Sequence, residues 1–171
     1  MKQTISSREL EEAYDAYGAA VYRLAMTFLG RCADAEDVTQ ETFYRALRGI
    51  DRYQERGSLF GWLCTIGKNV WLDEGRKRKR GRGPALPLEA AAQTPEPGPG
   101  PAEQAETAAQ NAALRRAIRA LPPDYRDVVI LHAYGGVPLN EIAARKGRSE
   151  SWGKVTWHRA RQRLAQTLEE L

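Results

Sequence analysis

Apolar residues recur at intervals of three and four along most of this chain, and no stretch sustains the two-residue alternation of a strand. Leu10, Tyr14, Tyr17, Val21, Leu24, Ala25 and Phe28 mark the inner face of a first helix, which Gly30 ends. Asp34 offers an N-cap for a second helix, and Glu36 and Asp37 put negative charge at its positive end. Phe43, Ala46, Leu47 and Ile50 form its inward stripe. The run "YQERGS" breaks the pattern, and Ser58 caps a third helix with Leu59, Leu63, Ile66 and Val70 inward. Residues 110–121 predict a helix stopped by Pro122 and Pro123. "DYRDVVILHAYGG" predicts another, stopped by Gly135 and Gly136. "PLNEIAARKG" is a short helix with Leu139, Ile142 and Ala143 inward and a stop at Gly147. A longer basic helix follows, with Ser149 as its N-cap. The expected fold class is therefore all-α.

Between the two groups of helices the composition changes. Residues 81–107, "GRGPALPLEAAAQTPEPGPGPAEQAET", hold six of the nine prolines and no aromatic residue. Alternating Pro and Gly oppose both helix and sheet, so this segment reads as a flexible Pro/Gly-rich linker. It divides the chain into two small helical domains, residues 1–80 and 108–171. Units of that size have modest cores, and many lean on partners.

Charge sharpens the picture. The net charge is only +4, but residues 108–171 carry 11 Lys and Arg against 6 Asp and Glu. "GRKRKRGR" packs six basic residues into residues 75–82, while "RELEEAYD" and "DAEDVTQE" are acidic. This distribution suits nucleic acid on some faces and a protein on others.

Several classes are disfavoured. No apolar run approaches the ~18–20 residues that span a bilayer, and the polar N-terminus lacks a signal-peptide core. A cytoplasmic protein without membrane insertion is expected. Cys32 and Cys64 are isolated, which predicts reduced thiols and neither disulfide nor metal site. His132 and His158 stand alone, and no phosphate-binding glycine loop or nucleophile-base pair occurs. No enzyme, cofactor or small-molecule substrate is expected.

The short helix, glycine turn and longer basic helix make a helix-turn-helix pattern. Such a second helix fits the major groove, and its N-terminal half reads base edges. Glu150, Ser151, Lys154, Val155 and His158 are the candidate base contacts, and Arg148, Arg159, Arg161 and Arg163 the candidate phosphate contacts. Trp157, Ala160, Leu164 and Leu168 form the packing side. Trp152 suits the core better than the DNA face. Gly153, costly inside a helix by roughly 1 kcal/mol, suggests a close backbone approach to a partner.

"DAEDVTQETFYRALRGIDRYQERGSLFGWLCTIGKNVWLDEGRKRKR" resembles region 2 of bacterial sigma-70 family RNA polymerase sigma factors of the extracytoplasmic-function (ECF) group. "LPPDYRDVVILHAYGGVPLNEIAARKGRSESWGKVTWHRARQRL" resembles their region 4. Both motifs are long, and they occur in the family's order. The resemblance implies a dissociable subunit that binds core RNA polymerase, through its β′ coiled coil and β flap, and directs it to promoter DNA. Asp37, Gln40, Glu41, Arg45 and Arg48 match the family's polymerase-binding positions. The −10 element, read as melted single strand, would meet the loop of residues 52–60, with Tyr53, Gln54, Arg56 and Ser58, then Asn69 on the following helix. Unpaired bases call for planar surfaces, edge hydrogen bonds and cations, which these residues supply. Lys68, Arg76, Lys77 and Arg78 would extend that basic surface. Trp62 and Trp71 read as core.

The −35 element, read as duplex, would meet Lys154, Val155, His158 and Arg159 at the matching positions, flanked by Arg148, Ser149, Ser151 and Arg161. Two departures stand out. Pro138 replaces a usual Ser or Thr cap and would serve as the first helical residue; Gly153 replaces a usual apolar residue. An anti-sigma factor is a further implied partner, and the free chain is expected to be compact or held inactive by it. Alternative readings are a stand-alone helix-turn-helix regulator, or a sigma-like protein acting without promoter melting.

Overall fold

The computed structural model describes residues 6–29, 32–53, 57–79 and 100–170. The side chains of residues 32, 78 and 79 fall outside the description. Gly30, Gln54, Arg56, the side chains of Cys32 and Arg78, and residues 81–99 of the expected linker therefore lie outside the described residues.

Helix α1 (Ser7–Leu29) begins at a reciprocal cap: the Ser6 N–H donates to Glu9 Oε2 at 2.6 Å, and the Glu9 N–H donates back to Ser6 Oγ at 3.3 Å. Helix α2 (Cys32–Gly49) starts earlier than expected, so Asp34 sits inside its first turn rather than capping it. A 3₁₀ turn (Ile50–Arg52) leads to the loop before helix α3 (Leu59–Lys79). Ser58 does cap α3: its Oγ accepts from the Gly61 N–H at 3.0 Å. These three helices pack on one another around Leu10, Val21, Phe43, Ala46 and Leu63, with a second seam at Ala25, Ala35, Val38 and Val70.

Two residues expected inside lie outside. Tyr14 and Leu47 are about half exposed, because α1 and α2 turn those positions to the outer edge of their contact. Buried Thr39 and Thr42 take the inner positions instead, returning their hydroxyls to the carbonyls of Ala35 and Val38 at 2.7 and 2.6 Å. Sequence polarity hid that choice.

Helix α4 (Pro101–Ala120) corrects the expected linker, since residues 101–107 are helical. Pro101 occupies the first helical position, where its missing N–H costs nothing, and an Ala-rich run follows. Helix α5 (Pro123–Val128) runs on into a π-helical stretch (Val129–Tyr134), where the Gly135 N–H reaches Ile130 O. Helices α6 (Leu139–Arg145) and α7 (Glu150–Glu169) complete the chain, and no strand occurs among the described residues.

The two helical groups share one core. Leu24, Phe28, Cys64 and Trp71 of α1 and α3 pack with Ile118, Val128, Ile130 and Leu131 of the second group. Phe28 lies 4.5 Å from Trp71 and 4.9 Å from Tyr134, ring centre to ring centre, and the Arg119 guanidinium covers Trp71 at 4.6 Å. The described residues thus form a closed arrangement.

Candidate functional surfaces

The turn between α6 and α7 is built by its own backbone. Gly147 has φ +65°, its N–H donates to Ala144 O at 3.0 Å, and the Arg148 N–H donates to Ala143 O at 2.8 Å. Ser149 then caps α7, accepting from the Trp152 N–H at 3.2 Å. Where α7 crosses α6, a β-carbon on Gly153 would stand 2.8 Å from the Leu139 carbonyl oxygen. The close approach anticipated at Gly153 is thus made within the chain, not to a partner. Pro138 lies one residue ahead of the first helical residue, at the cap rather than inside, and its carbonyl accepts from the Ile142 N–H.

On α7, Gly153, Thr156 and Ala160 are buried, while Trp152, Trp157 and Leu164 are half-buried against the shared core. Leu168, expected to pack, is exposed near the helix end. The opposite face is open: Arg148, Ser149, Ser151, Lys154, Val155, His158, Arg159, Arg161 and Arg163 are all exposed. Val155, an exposed aliphatic residue in a basic row, is the kind of group that meets a thymine methyl. Lys154 pairs with Glu150 at 2.8 Å.

The edge expected to meet single-stranded DNA is differently placed. Tyr53 is half-buried, its ring 4.9 Å from Trp62 and its hydroxyl donating to Gly57 O at 3.3 Å. Asn69, Arg76 and Lys77 are exposed, with Arg76 and Lys77 paired to Asp73 and Glu74 on their own helix. Lys68 corrects the expectation of an exposed basic surface. It is 7% exposed, and its Nζ lies 2.7 Å from Asp127 Oδ1 on α5. Lys146 binds the other oxygen of Asp127 at 2.8 Å. Burial depresses the Lys68 ammonium below the ordinary lysine value, more than its single shared carboxylate restores. Burial also works to raise the Asp127 carboxyl, but the two cations outweigh it and hold the group below the ordinary carboxylate value. Ser58 is engaged as well: its N–H and hydroxyl both donate to Glu141 Oε1 of α6, at 3.0 and 3.1 Å.

On α2, Asp37, Gln40 and Arg48 are exposed. Glu41 and Arg45 are only partly so. Arg45 donates to Glu41 Oε1 at 2.6 Å and to Asp73 Oδ2 of α3 at 3.0 Å, tying α2 to α3. Those hydrogen bonds raise its already high proton affinity. Tyr44, which the apolar pattern did not single out, and Leu47, which it placed inward, stand exposed beside this row with Tyr14. They border an open groove of about 370 Å³ shared with Leu10 and Phe43. Three exposed large apolar residues in one place were the missed signal.

Cys64 is fully buried in the shared core. Burial, and then the charge of Glu141, push its thiol up to about 12. No helix among the described residues is long and apolar enough to cross a membrane.

Residues 13–81 match the family "Sigma-70 region 2" and residues 111–164 match "Sigma-70, region 4". The ECF RNA polymerase sigma factor EcfG of Rhodopseudomonas palustris is 33% identical over 145 residues, which cover 84% of this chain and 76% of that protein. The ECF RNA polymerase sigma factor SigE of Mycolicibacterium smegmatis is 37% identical over 154 residues, which cover 90% of this chain. The chain spans 59% of the length of SigE. Among solved structures, CnrH in complex with the cytosolic domain of CnrY matches with a TM-score of 0.60 and 25% identity, covering 96% of this chain and 90% of CnrH. The sigma factor RpoE in complex with the anti-sigma factor NepR from Bartonella quintana shares the fold at a TM-score of 0.59 and 24% identity, over 95% of this chain and 98% of that one. With regions 2 and 4 both present and in order, the chain belongs to the extracytoplasmic-function group of sigma-70 family RNA polymerase sigma factors.

Proposed function

We propose that this chain is a dissociable specificity subunit of bacterial RNA polymerase, acting in the cytoplasm. In this reading the outer face of α2 docks on the β′ coiled coil through Asp37, Gln40 and Arg48, with Tyr44 and Leu47 adding apolar contact. Region 4 engages the β flap and presents α7 to the −35 duplex. Tyr53, Gln54, Arg56, Ser58 and Asn69 receive the melted −10 strand, and Lys68 joins them when region 4 moves away. The polymerase supplies all catalysis. An anti-sigma factor holds the free subunit, a reading supported by the complex of the sigma factor RpoE with the anti-sigma factor NepR.

The observation that carries the proposal is the open row on α7. Its polar and basic residues face solvent while the opposite side is buried, and the helix sits on a region 4 match joined in one chain to a region 2 match. A neutral bundle end would not keep so many basic side chains on one face.

Co-elution with purified bacterial core RNA polymerase tests it. The native chain is expected to co-elute, and the double variant Asp37→Lys, Arg48→Glu to elute alone while keeping its helical circular dichroism. Arg45 is a poor control because its reversal would also cut the α2–α3 tie. A folded native chain that never co-elutes would sink the proposal. One observation favours the stand-alone regulator instead: the α7 face is open while Lys68 of the single-strand edge is buried and Ser58 is engaged by Glu141. In that case duplex selection would succeed where co-elution fails.

A further inference from the structure

The contact between α6 and the start of α3 is more specific than packing requires. Gly57, with φ +137°, and Gly61 form a notch around Ser58. A methyl group on either glycine would overlap the Glu141 side chain. Into this notch Glu141 brings one carboxylate oxygen. Ser58 donates to it from backbone and hydroxyl, while the same hydroxyl accepts from the Gly61 N–H. Arg145 donates to that carboxylate oxygen at 3.0 Å and also donates to the Ser58 carbonyl. The carboxylate therefore lies at the positive end of α3 with its charge matched.

We propose that Glu141 is a built-in plug for the single-strand-reading edge, with the Lys68–Asp127 pair as its companion. Resting on the function proposed above, the reasoning is one of competition. Ser58 has one hydroxyl proton and one backbone N–H, and Glu141 uses both. Lys68 has its charge spent on Asp127. A DNA strand at this edge must displace Glu141 and draw Lys68 out. The chain thus excludes single-stranded DNA by occupying its own donors, and opening of the region 2–region 4 contact precedes binding.

Two readouts on the full chain test this. Cys64 lies in the shared core, so alkylation by iodoacetamide at peptide-mapped Cys64 reports opening separately from Cys32. The variant Glu141→Ala, Asp127→Ala should alkylate at Cys64 at least about a hundredfold faster than native, because reaction follows the open population and removing one partner of a buried ion pair shifts it by that factor or more. Anisotropy of a labelled random-sequence single-stranded oligonucleotide at low salt should show severalfold tighter binding by the same variant. Should that variant fail to fold, Gly61→Ala replaces it, since its methyl displaces the Glu141 side chain and favours helix. Unchanged alkylation overturns the plug. Faster alkylation with unchanged oligonucleotide affinity overturns the competition. Failure of the native chain to join core polymerase would reject the sigma reading while leaving both readouts interpretable.

Discussion

The two elements proposed to face DNA sit in opposite conditions. Helix α7 carries its basic row to open solvent, with Lys154 in an exposed ion pair with Glu150. The front of α3 is occupied: Ser58 is held by Glu141, and Lys68 is sealed against Asp127. The same residue types thus read differently according to what the fold lays over them. A lysine on a basic stretch is a DNA contact only if the stretch stays uncovered. The comparison also shows where the cost of activity falls. Under the proposed function, duplex reading needs no rearrangement of region 4, whereas single-strand reading needs the shared core of Phe28, Trp71, Ile130 and Tyr134 to part.

The largest effect should come from breaking the covered side asymmetrically. Asp127→Ala leaves Lys68 charged and buried, with Lys146 beside it. Removing one partner of a buried pair costs about 3–5 kcal/mol, read as a lower urea midpoint. A loss within a few tenths of a kcal/mol would mean that the contact is loosely made. The pH dependence has a defined sign. Because the folded Asp127 carboxyl is held low, its stabilisation is complete above the unfolded value of about 3.9 and fades as pH falls through the depressed folded value. Asp127→Ala should lack that part of the acid slope.

A smaller effect is expected on the open side. At Gly153 the backbone of α7 meets the Leu139 carbonyl, so Gly153→Val must push α7 off α6. The better helix propensity of valine recovers only part of an overpacking cost of about 1–3 kcal/mol. Thermal unfolding should fall accordingly, and duplex binding should weaken because the basic row tilts. An unchanged melting temperature with unchanged binding would show that the crossing adjusts freely.

Gly153 also shows what the sequence could and could not reveal. Its oddity inside a helix was legible, as was a close approach; the identity of the approaching group was not, because crossing geometry is a tertiary fact. Helix type and order followed from periodicity, and Ser58 and Ser149 act as caps as expected. The start of α4 at Pro101 was masked by a proline-rich context whose last proline opens a helix rather than preventing one. Leu47 and Tyr14 misled because an apolar residue at the edge of a stripe satisfies the pattern whether it faces in or out. Lys68 and Ser58 were chosen for their chemistry, and that chemistry is what Glu141 and Asp127 exploit. Glu141 reads locally as the i,i+4 partner of Arg145, and nothing local marks its reach to Ser58 or that of Asp127 to Lys68, since those partners lie far away in sequence.

The smallest effect separates the two regions most finely. Glu150 and Lys154 form an i,i+4 pair on the open face of α7, and Lys154 and hydrogen bonding lower the proton affinity of Glu150. Superficially this repeats Glu141 with Ser58: a carboxylate occupying a group proposed to meet DNA. The difference is solvent. Both members of the surface pair are exposed, so water and salt already compete with it. Glu150→Gln should leave thermal stability unchanged. It should free Lys154 for a phosphate and remove a repelling charge, raising nonspecific duplex affinity modestly and steepening its log–log salt slope by roughly 0.9. An unchanged slope would place Lys154 away from the phosphates, leaving a base edge as its target. A large gain, comparable with that from releasing Glu141, would mean that exposure does not set the strength of these internal competitors, and the contrast between the two elements would fail.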